Sequence, residues 1–124
     1  MRNLEPKIFR KRLIVEGFYD VNIDEKFVSD LLTGLSKRLG MKIIAGPLIF
    51  SPNKVSEMHH GIGGFIAWTS SGVSFYTWDQ HKFFTLDIYS CVPFNTEEVV
   101  NLVRDKLKCR EFVYQEIRYE NSGE

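Results

Sequence analysis

This chain has few of the residues that build metal centres and disulfide frameworks. Its two cysteines, Cys91 and Cys109, give neither a metal spacing nor a bridge pattern. Its three histidines include one adjacent pair, His59-His60, with no third ligand at a convincing spacing. The pair reads as part of a solvated loop, and the thiols as free in a reducing cytoplasm. An excess of either charge is also missing. Sixteen Lys and Arg balance sixteen Asp and Glu, so nothing points to a nucleic acid or an acidic membrane as partner. No apolar run is long enough to span a bilayer, and the opening MRNLEPKIFRKR is charged where a signal peptide would be apolar. Internal repeats and low-complexity tracts are absent. What remains has an ordinary globular composition, and residues 1–124 suit a single domain with one core.

Aromatic residues are abundant: ten Phe, five Tyr and two Trp. Lys11 to Tyr19, rich in β-branched and aromatic residues, reads as a strand. Asn22 with Glu25 forms an N-terminal capping pattern, and Phe27, Val28, Leu31, Leu32, Leu35 and Leu39 then recur at helical spacing until Gly40. Met41 to Phe50 is a second strand whose Gly46-Pro47 marks a bulge or an edge. Ser51 to Gly63 reads as a long polar loop. Three strands follow, Gly64 to Thr69, Gly72 to Trp78 and Phe83 to Cys91. Asn95 and Glu98 repeat the cap before a helix marked by Val99, Val100, Val103 and Leu107. Glu111 to Tyr119 is the last strand, and the final residues are expected to fray. The order β-α-β-β-β-β-α-β predicts an α+β, two-layer sandwich, an antiparallel sheet with two helices on one face.

Strand parity sorts the chemistry. Val73 and Phe75 point one way, and Ser74, Tyr76 and Trp78 the other. In the next strand Phe84, Leu86 and Ile88 form the apolar set, opposite Asp87, Tyr89 and Cys91. The second face is polar and aromatic: solvated, a binding surface or a subunit interface. The serine pair Ser70-Ser71 lies at the mouth of its strand, where Tyr76, Trp78 and Cys91 are expected to look back at it. Serine and cysteine on one sheet face is a possible setting for covalent chemistry. Each residue also has a plainer reading. Ser70-Ser71 suits a turn, Cys91 a small buried residue, Tyr76 and Trp78 core or interface aromatics, and Glu16 a solvent-facing carboxylate.

The stretches SSGVSFYTWDQ (Ser70 to Gln80) and DIYSC (Asp87 to Cys91) resemble the bacterial and archaeal class of S-adenosylmethionine decarboxylase. That family's pattern is Glu-Ser-His-x-Ser-x-His-Thr-Trp-Pro-Glu, then Asp-x-Phe-Thr-Cys. LIVEGFY, with Glu16, and FSP at Phe50 to Pro52 resemble further family segments in the same order. The resemblance implies a pyruvoyl enzyme. Ser71 would be the precursor, its hydroxyl attacking the preceding carbonyl to give an ester whose elimination splits the chain. The resulting pyruvoyl group would act as electron sink for decarboxylation. Cys91 would be the general acid, Phe50 and Trp78 aromatics near an adenosyl group, Gln80 the partner of ribose hydroxyls, and Glu16 a site carboxylate.

Tyr76 replaces the family histidine that helps remove the serine α-proton, and a tyrosine of ordinary pKa about 10 stays protonated near pH 7. Gly63, within Gly61 to Gly64, replaces a family serine, and its turn is expected to need glycine's backbone freedom. Ser70, Gly72 and Gln80 replace glutamate, histidine and glutamate. His59, His60 or His81 are candidates to replace the lost base. Two functions follow. One is a self-cleaving decarboxylase of S-adenosylmethionine or a related amino acid, feeding polyamine synthesis. The other is a non-processing paralogue that serves as a binding or regulatory subunit. A homodimer, or a pairing with an active homologue, would cover the aromatic face.

Overall fold

Alternation of apolar and polar residues, with two amphipathic helices, produces one sheet buried on a single face. The computed structural model describes residues 1–55 and 60–120. Its elements are β1 (Lys11–Phe18), α1 (Glu25–Arg38), β2 (Ile43–Phe50), β3 (Gly63–Trp68), β4 (Ser71–Trp78), β5 (Phe83–Ser90), α2 (Thr96–Leu107) and β6 (Glu111–Glu116). Short 3-10 turns occupy Pro52–Lys54 and Asp79–His81. The six strands run in the order β2-β3-β4-β5-β1-β6, every neighbouring pair antiparallel. The expected α+β sandwich is the fold observed. Residues 121–124, where fraying was expected, and His59 lie outside the described residues.

The helices begin and end for local reasons. Asp24, rather than the expected Asn22, caps α1: its carboxylate accepts the Phe27 N–H at 2.8 Å. Asn22 stands too early to reach an N–H of the first turn. Glu25 in the first turn and Lys37 and Arg38 in the last complement the helix dipole. Asn95 caps α2 as its spacing predicts, accepting from the Glu98 N–H at 3.2 Å. β2 is both edge and irregular, with register shifts between Ile43 and Leu48 around the cis Gly46-Pro47 bond.

The buried face carries Leu13 and Val15 of β1, Ile66 and Trp68 of β3, Val73 and Phe75 of β4, and Phe84, Leu86 and Ile88 of β5. Val28, Leu31, Leu32 and Leu35 of α1 and Val99, Val103 and Leu107 of α2 complete this core. One polar bridge crosses it. The Trp68 indole N–H donates to Ser36 Oγ at 2.8 Å, and Ser36 donates to the Leu32 carbonyl at 2.7 Å. Ser36 is thus the acceptor that lets an indole lie fully within an apolar layer.

Replacing Ser36 with alanine should leave the Trp68 N–H buried and unpaired, costing about 1–3 kcal/mol. Urea unfolding should show a lower midpoint at unchanged slope. A loss below about 0.5 kcal/mol would mean that Trp68 finds another acceptor.

Candidate active site

Antiparallel register lays the second face of the sheet out in cross-strand rows. One runs Val113, Glu16, Thr85, Tyr76, Gly63, Phe50; the next runs Gln115, Ile14, Asp87, Ser74, Phe65, Leu48. Beyond it lie Arg12, Tyr89, Gly72 and Ala67. At the other end Phe18, Phe83 and Trp78 are neighbours. Leu48 is 60 % exposed, Val113 65 % and Phe65 41 %, so no described element covers this face.

At one end is Ser71, the first residue of β4, after the two-residue turn Thr69-Ser70. Its side chain does not share a face with Tyr76 and Trp78. Ser71 pairs with Ser90 on the core-facing parity, and its hydroxyl donates to Ser90 Oγ at 2.9 Å. Ser90 is fully buried. It donates in turn to the Val92 carbonyl at 2.6 Å and accepts the Val92 N–H at 3.0 Å. Cys91 does come to this end, just past β5. Its N–H donates to the Ser70 carbonyl at 3.2 Å, and its sulfur shares a 3.1 Å hydrogen bond with the Tyr89 phenol. That bond with the thiol pushes the phenol of Tyr89 above its ordinary range.

Phe50, Tyr76, Trp78, Gln80 and His81 gather at the opposite end. The rings of Phe50 and Tyr76 meet edge to face with centroids 5.4 Å apart, Tyr76 and Trp78 lie 6.4 Å apart, and Trp78 and Phe83 5.7 Å. Gln80 and His81 are exposed in the 3-10 turn that follows. Asp79, which opens it, accepts from Tyr19 at 3.2 Å and Thr77 at 3.1 Å. Burial first, and the Asp79 charge second, push the Tyr19 phenol up to about 12. His60 is tied here too, its carbonyl accepting the Asp79 N–H at 2.8 Å. Tyr76 stands five residues beyond Ser71 on one strand, about 16 Å at about 3.3 Å per residue. Within one chain, therefore, Tyr76, Trp78, His60 and His81 do not look back at the serine.

A family model for S-adenosylmethionine decarboxylase matches residues 13–119, which include both ends of the open face. The chain belongs to the S-adenosylmethionine decarboxylase family. Among solved structures, the adenosylmethionine decarboxylase from Aquifex aeolicus VF5 has the same fold, with a TM-score of 0.71 at 20 % identity over 94 % of this chain and 96 % of that one. A search of curated proteins finds no match. The expected membership of this family of decarboxylases is thus met. Among the described residues no cluster of three or more His, Cys, Asp or Glu stands ready for a metal, and no helix is long and apolar enough to cross a membrane.

The departures from the family pattern have a local logic. Gly63 and Tyr76, two positions that depart from the pattern the chain resembles, are direct cross-strand partners. Gly63 has an ordinary backbone conformation; its left-handed freedom is not in use, contrary to expectation. The constraint is the Phe50 ring, which lies so close that a Cβ at Gly63 would collide with it. The Phe50 ring fills the space a serine would need. At Gly61 the obstacle is backbone: a Cβ there would run into the Thr77 carbonyl.

Between the two ends lie two carboxylates. Glu16 is half-buried and accepts from Thr85 Oγ1 at 3.3 Å. Asp87 occupies the adjacent row on the adjacent strand. Strand parity exposed Asp87, Ser74 and Tyr89 on this face, but it did not single them out as site residues. Arg12 and Ser90 were missed entirely, because only the register places them beside Tyr89 and Ser71. Lost hydration, and then the charge of Glu16, raise the pKa of Asp87.

A carboxylate with a raised folded pKa binds its proton more tightly in the native state. Its contribution favours folding below the unfolded pKa of about 3.9 and is lost as pH rises through the folded value. Asp87→Asn should therefore gain stability relative to wild type as pH rises from about 4 toward neutral. Paired urea titrations across that range would show the gap opening. A gap that stays constant or closes as pH rises would contradict this account.

Proposed function

We propose that the chain is a pyruvoyl-dependent decarboxylase of S-adenosylmethionine or a related amino acid, serving polyamine (spermidine) synthesis in the cytoplasm, which cleaves itself before Ser71. The observation that carries this reading is the Cys91 N–H on the Ser70 carbonyl, at 3.2 Å. That carbonyl is the one the Ser71 hydroxyl would attack, and a fixed backbone donor stabilises the charge that develops on its oxygen. In the first step the Ser71 Oγ bonds to the Ser70 carbonyl carbon, the Ser70–Ser71 C–N bond breaks, and the hydroxyl proton ends on the Ser71 nitrogen. Ser90 holds that hydroxyl before the step. Removal of the Ser71 α-proton then expels the Ser70 carboxylate, opens the chain and leaves a dehydroalanine at residue 71, whose imine tautomer takes up water and releases ammonia to give the pyruvoyl group. The pyruvoyl group formed from Ser71 would supply an electron sink for loss of carbon dioxide. Cys91, beside Tyr89, would deliver a proton at that end.

Glu16 and the aromatic end complete the reading only through a second copy. Ser71 and Tyr76 stand about 16 Å apart along one strand, which favours a site completed by a second copy. A two-fold axis lying in the open face, across the direction of β4, lays the Ser71 end of one copy against the aromatic end of the other. The exposed apolar residues of that face favour such a homodimer. The same fold pairing with an active homologue would be built the same way.

Tyr76 and Gly63 favour a second reading, a non-processing paralogue that serves as a binding or regulatory subunit. Where the family has a base that works near neutral pH, this chain has a phenol, a group that ordinarily keeps its proton there.

Intact-mass analysis should show fragments 1–70 and 71–124. Ser71→Ala should abolish them, and Ser70→Ala should only slow them; the reverse would shift the cleaved bond by one. Full-length chain alone after long incubation would favour the paralogue. Tyr76→His should then accelerate cleavage, since a matched base contributes ~10²–10⁴-fold to proton transfer. Adding Gly63→Ser should help only when Phe50 is also trimmed, for example to leucine. Light scattering should show a dimer; a monomer at high micromolar concentration would remove the two-copy site.

A further inference from the structure

The open face beside Ser71 contains a groove of about 350 Å³, lined by Arg12, Ile14, Phe65, Gly72, Ser74, Asp87 and Tyr89 among others. Its size is at the lower end for small-ligand sites. Two opposite charges face this groove without pairing to each other. Among the described residues the ion pairs are Lys11–Glu116, Lys26–Asp30 and Arg104–Asp105, so Arg12 and Asp87 belong to none. Arg12 is nonetheless held. Its guanidinium carbon sits 4.4 Å from the centre of the Tyr89 ring, and Nε donates to the Tyr119 hydroxyl at 3.0 Å. Stacked and tethered through one nitrogen, it keeps its two terminal nitrogens for a planar acceptor.

The floor is low where a ligand would lie. Gly72 sits beside Tyr89 in the row that starts at Arg12. A Cβ there would meet the Phe65 ring at 3.4 Å and the Ile66 carbonyl at 3.3 Å. Any larger residue at 72, including the histidine that the family pattern has there, would occupy this space. Phe65, 41 % exposed, and Ile14, 37 % exposed, provide apolar walls.

We propose that this groove holds the head group of a free α-amino acid: Arg12 takes the α-carboxylate, Asp87 takes the ammonium, and the side chain lies toward Phe65 and Ile14. The inference rests on the reading of the Ser71 end as the place of reaction, and it names what selects the ligand there. Arg12 is a specificity residue. Its pairing with a carboxylate is a ground-state contact, which anchors the ligand without lowering the barrier to losing that carboxylate.

The test is calorimetric titration at neutral pH and low salt of wild type, Ser71→Ala, Arg12→Gln, Arg12→Lys and Asp87→Asn. The probes are S-adenosylmethionine and each common amino acid, followed by the α-carboxamide of whichever binds best. At least one probe should bind to Ser71→Ala, which cannot turn over. Its carboxamide should bind about tenfold more weakly or worse, as expected for loss of one charge-assisted pair. Arg12→Gln should weaken the acid by a similar factor and leave the carboxamide within about twofold, Arg12→Lys should restore part of the loss, and Asp87→Asn should weaken both ligands. Saturation by none of the probes would overturn the proposal. So would acid and carboxamide affinities that Arg12→Gln leaves unchanged. Arg12-dependent binding by a chain that never cleaves would support this inference and remove the enzymatic reading instead. Cleavage and decarboxylation that Arg12→Gln leaves untouched, in KM as well as in kcat, would do the reverse.

Discussion

The register between β4 and β5 is the constraint on which the rest of the molecule depends. Eight consecutive pairs, from Ser71 with Ser90 to Trp78 with Phe83, lock the two central strands. Because side chains alternate, this one alignment decides which residues enter the core and which stay outside. It sends Val73, Phe75, Phe84, Leu86 and Ile88 under the helices. It also pairs the Ser71 hydroxyl with a buried partner and brings the Cys91 amide to the Ser70 carbonyl. A slip of one residue would bury Asp87 and break the hydroxyl contact together.

The consequence is a sheet with two unlike surfaces. Two capped helices and a dense apolar layer, bridged once by Ser36 and Trp68, stabilise the first. The second keeps aromatic rings, two carboxylates and an arginine in reach of solvent. Its chemistry is divided: phenol, thiol and guanidinium at one end, and a run of aromatic rings at the other. That division follows from strand length, since an eight-residue strand is longer than the reach of any side chain it carries.

Much of the fold was legible because periodicity and caps are local signals. The order of elements, the edge character of β2 at Gly46-Pro47 and the Asn95 cap all emerge from neighbouring residues. The cap of α1 did not, since Asn22 and Asp24 offer the same chemistry and only the position of the first helical turn chooses between them. The site was legible in part. Parity alone separated Asp87, Tyr89 and Cys91 from the apolar set. It gave no warning that Ser71 shares the parity of Val73 and turns to Ser90, because a residue at a strand's mouth was read with the turn and not with the strand. Arg12, far away in sequence, had no local mark at all.

The sequence by itself determined the family, the alternation of elements and the identity of the groups absent at positions 63 and 76, because motifs and periodicity need only short-range order. Tertiary structure decided which of these groups meet. Antiparallel pairing placed β1 beside β5, residues some seventy positions apart, and so put Arg12 against Tyr89 and Glu16 next to Asp87. It showed that Gly63 is held small by the overlying Phe50 ring and not by a backbone turn. Both results depend on distances between segments that are remote along the chain, and residue spacing carries no record of those distances.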